Sequence, residues 1–219
     1  GLDGPDSAEV DVELNSDGTV TIFACWHDHG QGADIGTLGT AHQALRPLGL
    51  APDQIKLVLG DTRVAPNTGP AGGSRSQVMA GQAIINGCEQ LIKAMSRADN
   101  SKRTYEEMVA EKIETKYRGK WTAPANNCDE NAQGSPFCCY MYGLFMAEVA
   151  VEKATGKTTV EKMTVVGDIG KVNNFLTVDG QIYGGLAQGI GLALTEDYED
   201  IKAHATMRGA GIPYIKDIP

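Results

Sequence analysis

Gly81, Ile84, Ile85, Cys88, Leu91, Ile92 and Met95 recur at helical spacing, while Gln82, Asn86, Glu89, Gln90 and Lys93 fall outside their stripe. Few features constrain a chain more, because a long helix with one apolar face has to lay that face on a sheet or another helix. Directly ahead of it runs Asn67-Thr68-Gly69-Pro70-Ala71-Gly72-Gly73-Ser74-Arg75-Ser76-Gln77. Turn formers and adjacent glycines are followed there by hydroxyl and amide side chains around an arginine. Such a loop lets backbone approach a ligand closely. It also delivers the ligand onto a helix N-terminus, where free N–H groups and the dipole favour oxygen-rich or anionic partners. Ser74 or Ser76 is suited to cap the helix. The plainer alternative, a Gly-rich connection that only caps a core helix, fits the local pattern equally well.

Upstream, Val10, Val12 and Leu14 alternate with Asp11 and Glu13, Asn15-Ser16-Asp17-Gly18 turns, and Val20, Ile22 and Ala24 resume the alternation. That period predicts a β-hairpin. Its second strand runs into Trp26-His27-Asp28-His29-Gly30-Gln31-Gly32. Ile35, Leu38, His42, Leu45 and Leu48 then share a helical face ended by Gly49, and Ile55 to Leu59 reads as a short strand ended by Gly60-Asp61-Thr62. Residues 1–98 therefore read β-β-α-β-α, a layered unit.

Thr104 and Glu107 form a capping-box pattern for a short helix carrying Tyr105, Met108, Val109, Lys112 and Ile113. Lys116 to Phe137 has little periodicity and many Asn, Gly and Pro residues, which predicts a surface excursion over 99–137 with Trp121 as its anchor. Ala147, Val149 and Val151, a turn at Ala154-Thr155-Gly156-Lys157, and Val160, Met163 and Val165 predict a second hairpin. Ala147 to Glu152 echoes Ala8 to Glu13, through a faint internal repeat or through common strand composition. Asp179 is suited to cap a helix that buries Ile182, Tyr183, Leu186, Ile190 and Leu194. Gly184, Gly185, Gly189 and Gly191 inside it each cost about 1 kcal/mol relative to Ala, which implies close packing of a backbone or a ligand there. The expected fold class is α+β, with layered hairpins and helices in two similar β-β-α halves, 1–98 and 138–219. Ile212 to Pro219 reads as an extended segment cut short.

A formal net charge of −9 with no basic run argues against nucleic-acid binding. No apolar stretch approaches the roughly 20 residues that span a bilayer, and Gly1 to Asp6 has no signal-peptide pattern. No membrane association is expected. Cysteines at 25, 88, 128, 138 and 139 include no Cys-x-x-Cys pair. Cys88 lies on the apolar stripe, and adjacent Cys138 and Cys139 match neither zinc nor iron–sulfur spacing. Free thiols indicate a reducing, cytoplasmic compartment, with the periplasm left open. The lack of an initiator Met suggests a processed product or a piece of something longer.

His27-x-His29 invites a metal, but no third ligand is evident: His42 lies on an apolar helix face and His204 is remote, so no protein-ligated metal is expected. Gln31, between two glycines, offers an amide to the edge of a heterocycle. Ser74 and Ser76 lack the Gly-x-Ser-x-Gly setting of a nucleophile, and the loop matches neither dinucleotide fingerprint. What remains is three Gly- or Gln-bearing junctions, Gly30 to Gly32, Gly72 to Gln77 and Val178 to Gln188, each read as a helix start. Converging, they would make a donor-rich cradle for a large polar cofactor with phosphates.

His29-Gly30-Gln31-Gly32, Pro66 to Ser74, and Asp179-Gly180-Gln181-Ile182-Tyr183-Gly184-Gly185-Leu186-Ala187-Gln188-Gly189 together resemble the molybdenum-binding domain of the molybdenum hydroxylase (xanthine oxidase) family, and within it the aldehyde-oxidising members. The resemblance covers essentially the whole chain, in motif order and separation. It implies molybdopterin cytosine dinucleotide carrying Mo, with the metal held by the pterin dithiolene. It implies that Gly30 and Gln31 face the molybdenum ligand sphere and that Gly73 is the small residue permitting substrate approach. Gly72, Ser74, Arg75, Ser76 and Gln77 would contact the pterin and its pyrophosphate by backbone and hydroxyl groups. Gln181 would fix the heterocycle, and Trp26 and His29 would contact the dinucleotide. Family chemistry is oxidation of an aldehyde to a carboxylic acid, with water as oxygen source and electrons leaving through [2Fe–2S] clusters to an acceptor protein.

The family's general-base glutamate belongs to a Gly-x-Gly-Glu segment that this sequence lacks; Glu196 and Glu199 do not match it, and no cluster-binding spacing is present. The expectation is one portion of an aldehyde oxidoreductase, inactive alone, with the remaining segments of the enzyme as partners and a homodimer compatible. A noncatalytic binding or assembly module is the competing reading.

Overall fold

The first alternation becomes β1 (Ser7–Leu14) and β2 (Val20–Ala24) in the computed structural model, which describes residues 6–124 and 128–219. Gly1 to Pro5 lie outside the described residues. The hairpin is antiparallel with Val12 opposite Ile22, so Val10, Val12, Leu14, Val20, Ile22 and Ala24 all enter the core. β3 (Ile55–Leu59) joins β2 in parallel, with α1 (Ala33–Ala44) as the crossover between them. The chain divides into two compact units, Gly1–Cys139 and Tyr140–Pro219.

The surface excursion expected over 99–137 does not hold at Lys116 to Thr122. That stretch is β4 (Lys116–Thr122), antiparallel to β1, and it completes a sheet of order β3-β2-β1-β4. Its alternation is legible afterwards: Lys116, Arg118 and Lys120 stand opposite Glu13, Asp11 and Glu9. Arg118 donates to both Asp11 carboxylate oxygens at 2.8 and 3.0 Å, and Lys120 lies 2.9 Å from Glu9. Opposite charges directly across a strand pair favour this register. Gly119 points the other way, towards α2 (Arg75–Met95), where a Cβ would sit 2.5 Å from the Gly87 nitrogen and would also strike the Ala83 carbonyl. Helix and strand touch there through their glycines. Trp121 is half-buried against the core, as a strand residue and not a loop anchor.

α2 delivers the expected apolar face: Gly81, Ile84, Cys88, Leu91 and Met95 are buried over β1 and β4. Burial pushes the Cys88 thiol up to about 12, consistent with a core residue. The face expected for α1 holds at Leu45, which is fully buried, and at Leu38 and Leu48, which pack against the core, but not at Ile35. Gly36, Thr37, Thr40 and Ala41 are buried, Ile35 is 42% exposed, and the helix ends at Ala44 before a 3-10 turn that Gly49 closes. Small residues face α2, and the helices approach closely enough for Gln77 Nε2 to donate to Thr40 Oγ1 at 2.7 Å. α3 (Tyr105–Ala110) has its capping box, with Thr104 and Glu107 exchanging bonds of 2.9 and 3.3 Å.

In the second unit, β5 (Tyr142–Val151) and β6 (Thr158–Asp168) form the second hairpin, with a bulge at Glu148/Val149. α4 (Phe175–Leu194) starts earlier than expected. Asn174 is its cap, accepting the Thr177 N–H at 3.1 Å, and Asp179 lies inside the helix. Of its expected buried stripe only Ile190 is fully buried, and Tyr183 is 66% exposed. Close packing is found at Gly191, against Pro213 and the Glu196 carboxylate, while Gly184, Gly185 and Gly189 border open space. Both units begin β-β-α, but only the first adds further strands. Among the described residues no helix is long and apolar enough to cross a membrane.

Candidate functional site

β2 and β3 run parallel, so the segments leaving their C-terminal ends emerge at one edge of the sheet. One is 25–32, leading into α1; the other is 60–74, leading into α2. This is the edge where open parallel sheets commonly form ligand crevices. The Gly60 N–H donates to the Ala24 carbonyl at 2.9 Å and ties the strand ends together. Thr68 is fully buried: its hydroxyl donates to the Glu9 carbonyl at 2.9 Å and accepts the Cys25 N–H at 2.8 Å. The structure thus brings together the site residues predicted between Trp26 and Gln31 and those between Gly72 and Gln77. Gln181 belongs to the second unit, exposed in the second turn of α4 and not at a helix start.

Each segment turns through the left-handed region before its helix. Gly30 and Gly32 have φ of 99° and 87°, and Gly73 and Ser74 have 57° and 59°. A Cβ at Gly30, Gly72 or Gly73 would meet nothing within 4 Å, so open space adjoins the backbone at all three. That is a cradle bordered by backbone, and it fits a flat polar group lying against it.

The helix N-termini differ from expectation. Asp28 fills that of α1, its carboxylate accepting from the N–H groups of Gly30 at 2.7 Å, Gly32 at 3.3 Å and Asp34 at 3.0 Å. The Asp34 bond first, then that of Gly30, holds the Asp28 carboxyl below the usual range. Asp34 is shifted up, by burial and then by Asp28 beside it. An anion already occupies this position. α2 is different: Ser74 stands at its N-cap in a left-handed conformation with no side-chain cap, and Ser76 lies within the first turn. The N–H groups of Ser76 and Gln77 have no intrahelical partner there. With α4 capped by Asn174, the three-terminus cradle reduces to one open terminus among those read from the sequence.

Several side chains are already engaged. The Gln31 amide folds back, donating to the His27 carbonyl at 3.1 Å and accepting from the His29 N–H. The His27 and His29 rings are exposed with centroids 5.9 Å apart. Among the described residues no group of three or more His, Cys, Asp or Glu could hold a metal. Trp26 is only 4% exposed, and its Nε1–H is buried with no partner among the described residues, so neither its ring face nor its donor is open to a ligand. The Arg75 guanidinium bonds to Asp6, Ser7, Thr68 and Pro70. Asp6, Asp28 and Thr68 escaped the sequence reading. The one local signal was Asp28 two residues before Gly30, the spacing at which an Asp side chain bonds its own backbone.

Comparison with known proteins gives the family of the chain. The molybdopterin cofactor-binding domain family matches residues 1–219. The aldehyde oxidoreductase of Megalodesulfovibrio gigas is 58% identical over the whole chain, which spans 24% of that protein. Xanthine dehydrogenase/oxidase of Gallus gallus is 28% identical over 95% of the chain and 16% of its own length. The crystal structure of the aldehyde oxidoreductase from Desulfovibrio desulfuricans superposes with a TM-score of 0.96 at 65% identity, over all of this chain and 24% of that one. The chain thus spans about a quarter of the aldehyde oxidoreductases it resembles. The full-length family match, with the close likeness to the aldehyde oxidoreductases, makes this chain a member of the molybdopterin cofactor-binding domain family.

Proposed function

We propose that the chain supplies part of the binding site for molybdopterin cytosine dinucleotide in an aldehyde oxidoreductase. The uncapped N-terminus of α2 behind Gly72, Gly73 and Ser74 carries this reading, because it combines open backbone with donors suited to a phosphate. The N–H groups of Ser76 and Gln77 and the hydroxyls of Ser74 and Ser76 hold the pyrophosphate. Gly73 leaves room beside the reacting centre, and Gly30 with the backbone of Gln31 borders the ligand sphere. Gln31 turns its amide outward to do more, which requires release of the His27 and His29 bonds. Trp26 and His29 contact the dinucleotide, Trp26 only after a local opening that uncovers its buried Nε1–H, and Gln181 in the second unit binds the heterocycle. Arg75 enters through its backbone.

When bound, the cofactor supplies the redox and oxygen-transfer chemistry that converts an aldehyde to a carboxylic acid with water as oxygen source. The residues of this chain orient it and keep volume out of the substrate's path. The general-base glutamate, the [2Fe–2S] clusters and the contact with an electron-acceptor protein lie outside residues 1–219. The test is a molybdenum and pterin assay on the purified full-length protein, together with aldehyde turnover to an artificial acceptor. Stoichiometric molybdenum and pterin with turnover is the expected result. Their absence overturns the reading in favour of a noncatalytic binding module.

A further inference from the structure

Arg75 is the one charged side chain in the Gly72 to Gln77 segment, yet it points away from the open end of α2. Its Nε and Nη2 donate to the two Asp6 carboxylate oxygens at 2.7 and 2.8 Å, and Nη2 donates also to the Ser7 carbonyl at 2.9 Å. Nη1 donates to the carbonyls of Thr68 at 3.1 Å and Pro70 at 2.8 Å. A guanidinium has five N–H donors, and these five bonds use them all. The residue is 9% exposed. Gly69 passes beneath it at φ 82°, where a Cβ would lie 2.7 Å from Nη1. The side chain therefore joins the start of β1, the glycine-bearing loop and the first residue of α2 at a single point.

We propose that Arg75 and Asp6 form a latch that positions the cofactor-binding loop, so that Arg75 is a positioning residue and not a phosphate ligand. This inference rests on the reading of the loop as a molybdopterin cradle. The physical reason is geometric. Between Thr68 and Arg75 the chain passes left-handed turns at Gly69 and Gly73, whose flat energy surface leaves the path undetermined by local preference, and at Ser74, whose local preference is against that turn. The buried Thr68 hydroxyl pins one end and the guanidinium pins both, which orients the Ser76 and Gln77 N–H groups before any ligand arrives. A lysine cannot replace the fork, since its three donors share one nitrogen and cannot span a carboxylate and three carbonyls.

The molecule contains its own control. Arg118 makes the same two-pronged contact with Asp11 on β1, but between strands and without touching a loop. The experiment compares Arg75→Lys, Asp6→Asn, their double variant and Arg118→Lys in the full-length protein. Deuterium exchange of amides 68–76 is read in cofactor-free protein, and molybdopterin content is read after dialysis. Arg75→Lys and Asp6→Asn are each expected to speed exchange at 68–76 and molybdopterin loss by roughly tenfold, the weight of one charged hydrogen bond. The double variant is expected to be no worse than the worse single one. Arg118→Lys is expected to leave both readouts unchanged. Unchanged exchange at 68–76 in both single variants overturns the latch, as does an equal effect of Arg118→Lys. If the unsubstituted protein holds no molybdopterin while exchange responds as described, the latch stands and the cofactor reading falls. Should Asp6→Asn fail to fold, Arg75→Lys alone decides through the same exchange measurement.

Discussion

α1 and α2 begin alike and end up chemically opposite. Each follows the C-terminal end of a parallel strand and enters through a left-handed residue, Gly32 or Ser74, with no cap from its own side chain. At α1 the chain bends Asp28 back onto the N–H groups of Gly30, Gly32 and Asp34, so an internal carboxylate fills the terminus. At α2 the nearest charged side chain, Arg75, is drawn into the latch with Asp6, and the terminus stays open. The lesson is that a glycine-rich junction before a helix does not make an anion site. What decides is whether the chain has already spent the donors on itself.

The comparison is most severely tested by making α2 resemble α1. Ser74→Asp places a carboxylate at the open terminus. An anion at a helix N-terminus is favourable in the empty protein but competes with a bound phosphate. Molybdopterin retention in the full-length protein should fall roughly tenfold, equivalent to about 1.4 kcal/mol, while the melting temperature of the cofactor-free form does not drop. Retention equal to that of the parent would mean that no anionic group sits at α2.

A smaller effect is expected from Gly73→Ala, read beside Gly30→Ala. Both glycines have positive φ and open space at the Cβ position, so each substitution costs about 1 kcal/mol of backbone strain. That corresponds to a melting shift of about 2–4 °C for a domain of this size. In the loaded protein Gly73→Ala should lose more than in the empty one, because the added methyl enters the occupied space. Equal shifts in the two forms would remove Gly73 from the contact surface.

Asp28→Ala gives the smallest change, about 0.5 kcal/mol, the low end for the loss of a helix cap, since the carboxylate is exposed. Its sign with pH follows from the lowered Asp28 pKa. The folded form binds the proton less readily than the unfolded chain, so the carboxylate stabilises the fold above its unfolded value of about 4. That contribution disappears as pH falls through the lower folded value. Asp34, shifted upward beside it, opposes the trend in part. Urea melts of parent and variant should therefore differ at neutral pH and converge in acid. A gap that persists at low pH would show that Asp28 acts through packing and not through its charge.

Much of the fold is written locally. Val10, Val12 and Leu14, the stripe from Gly81 to Met95 and the Thr104–Glu107 box need only neighbours in sequence, so period and capping chemistry reveal them. β4 was harder, because Asn, Gly and Pro residues beyond Thr122 mask the alternation of Lys116, Arg118 and Lys120. Its partners lie a hundred or so residues away, as the Arg118–Asp11 pair at a separation of 107 illustrates. The helical faces failed for a related reason. Apolar spacing favoured Ile35 in α1, but close approach of α2 selected the small residues Gly36, Thr37, Thr40 and Ala41.

For the first unit's sheet edge, the sequence by itself determined the composition: the glycines at 30, 32, 72 and 73, the hydroxyls at 74 and 76, and the amides at 31 and 77. Backbone freedom and donor type belong to residue identity, and identity survives without a fold. Only the tertiary structure decided which donors remain for a ligand. Hydrogen bonds are exclusive, and Asp28, Asp6 and Thr68 claim theirs across turns and long separations, the Arg75–Asp6 pair at 69 residues. A donor committed inside the protein is unavailable outside it. That allocation is set by how β1, β2 and β3 align at one edge, which no local pattern encodes.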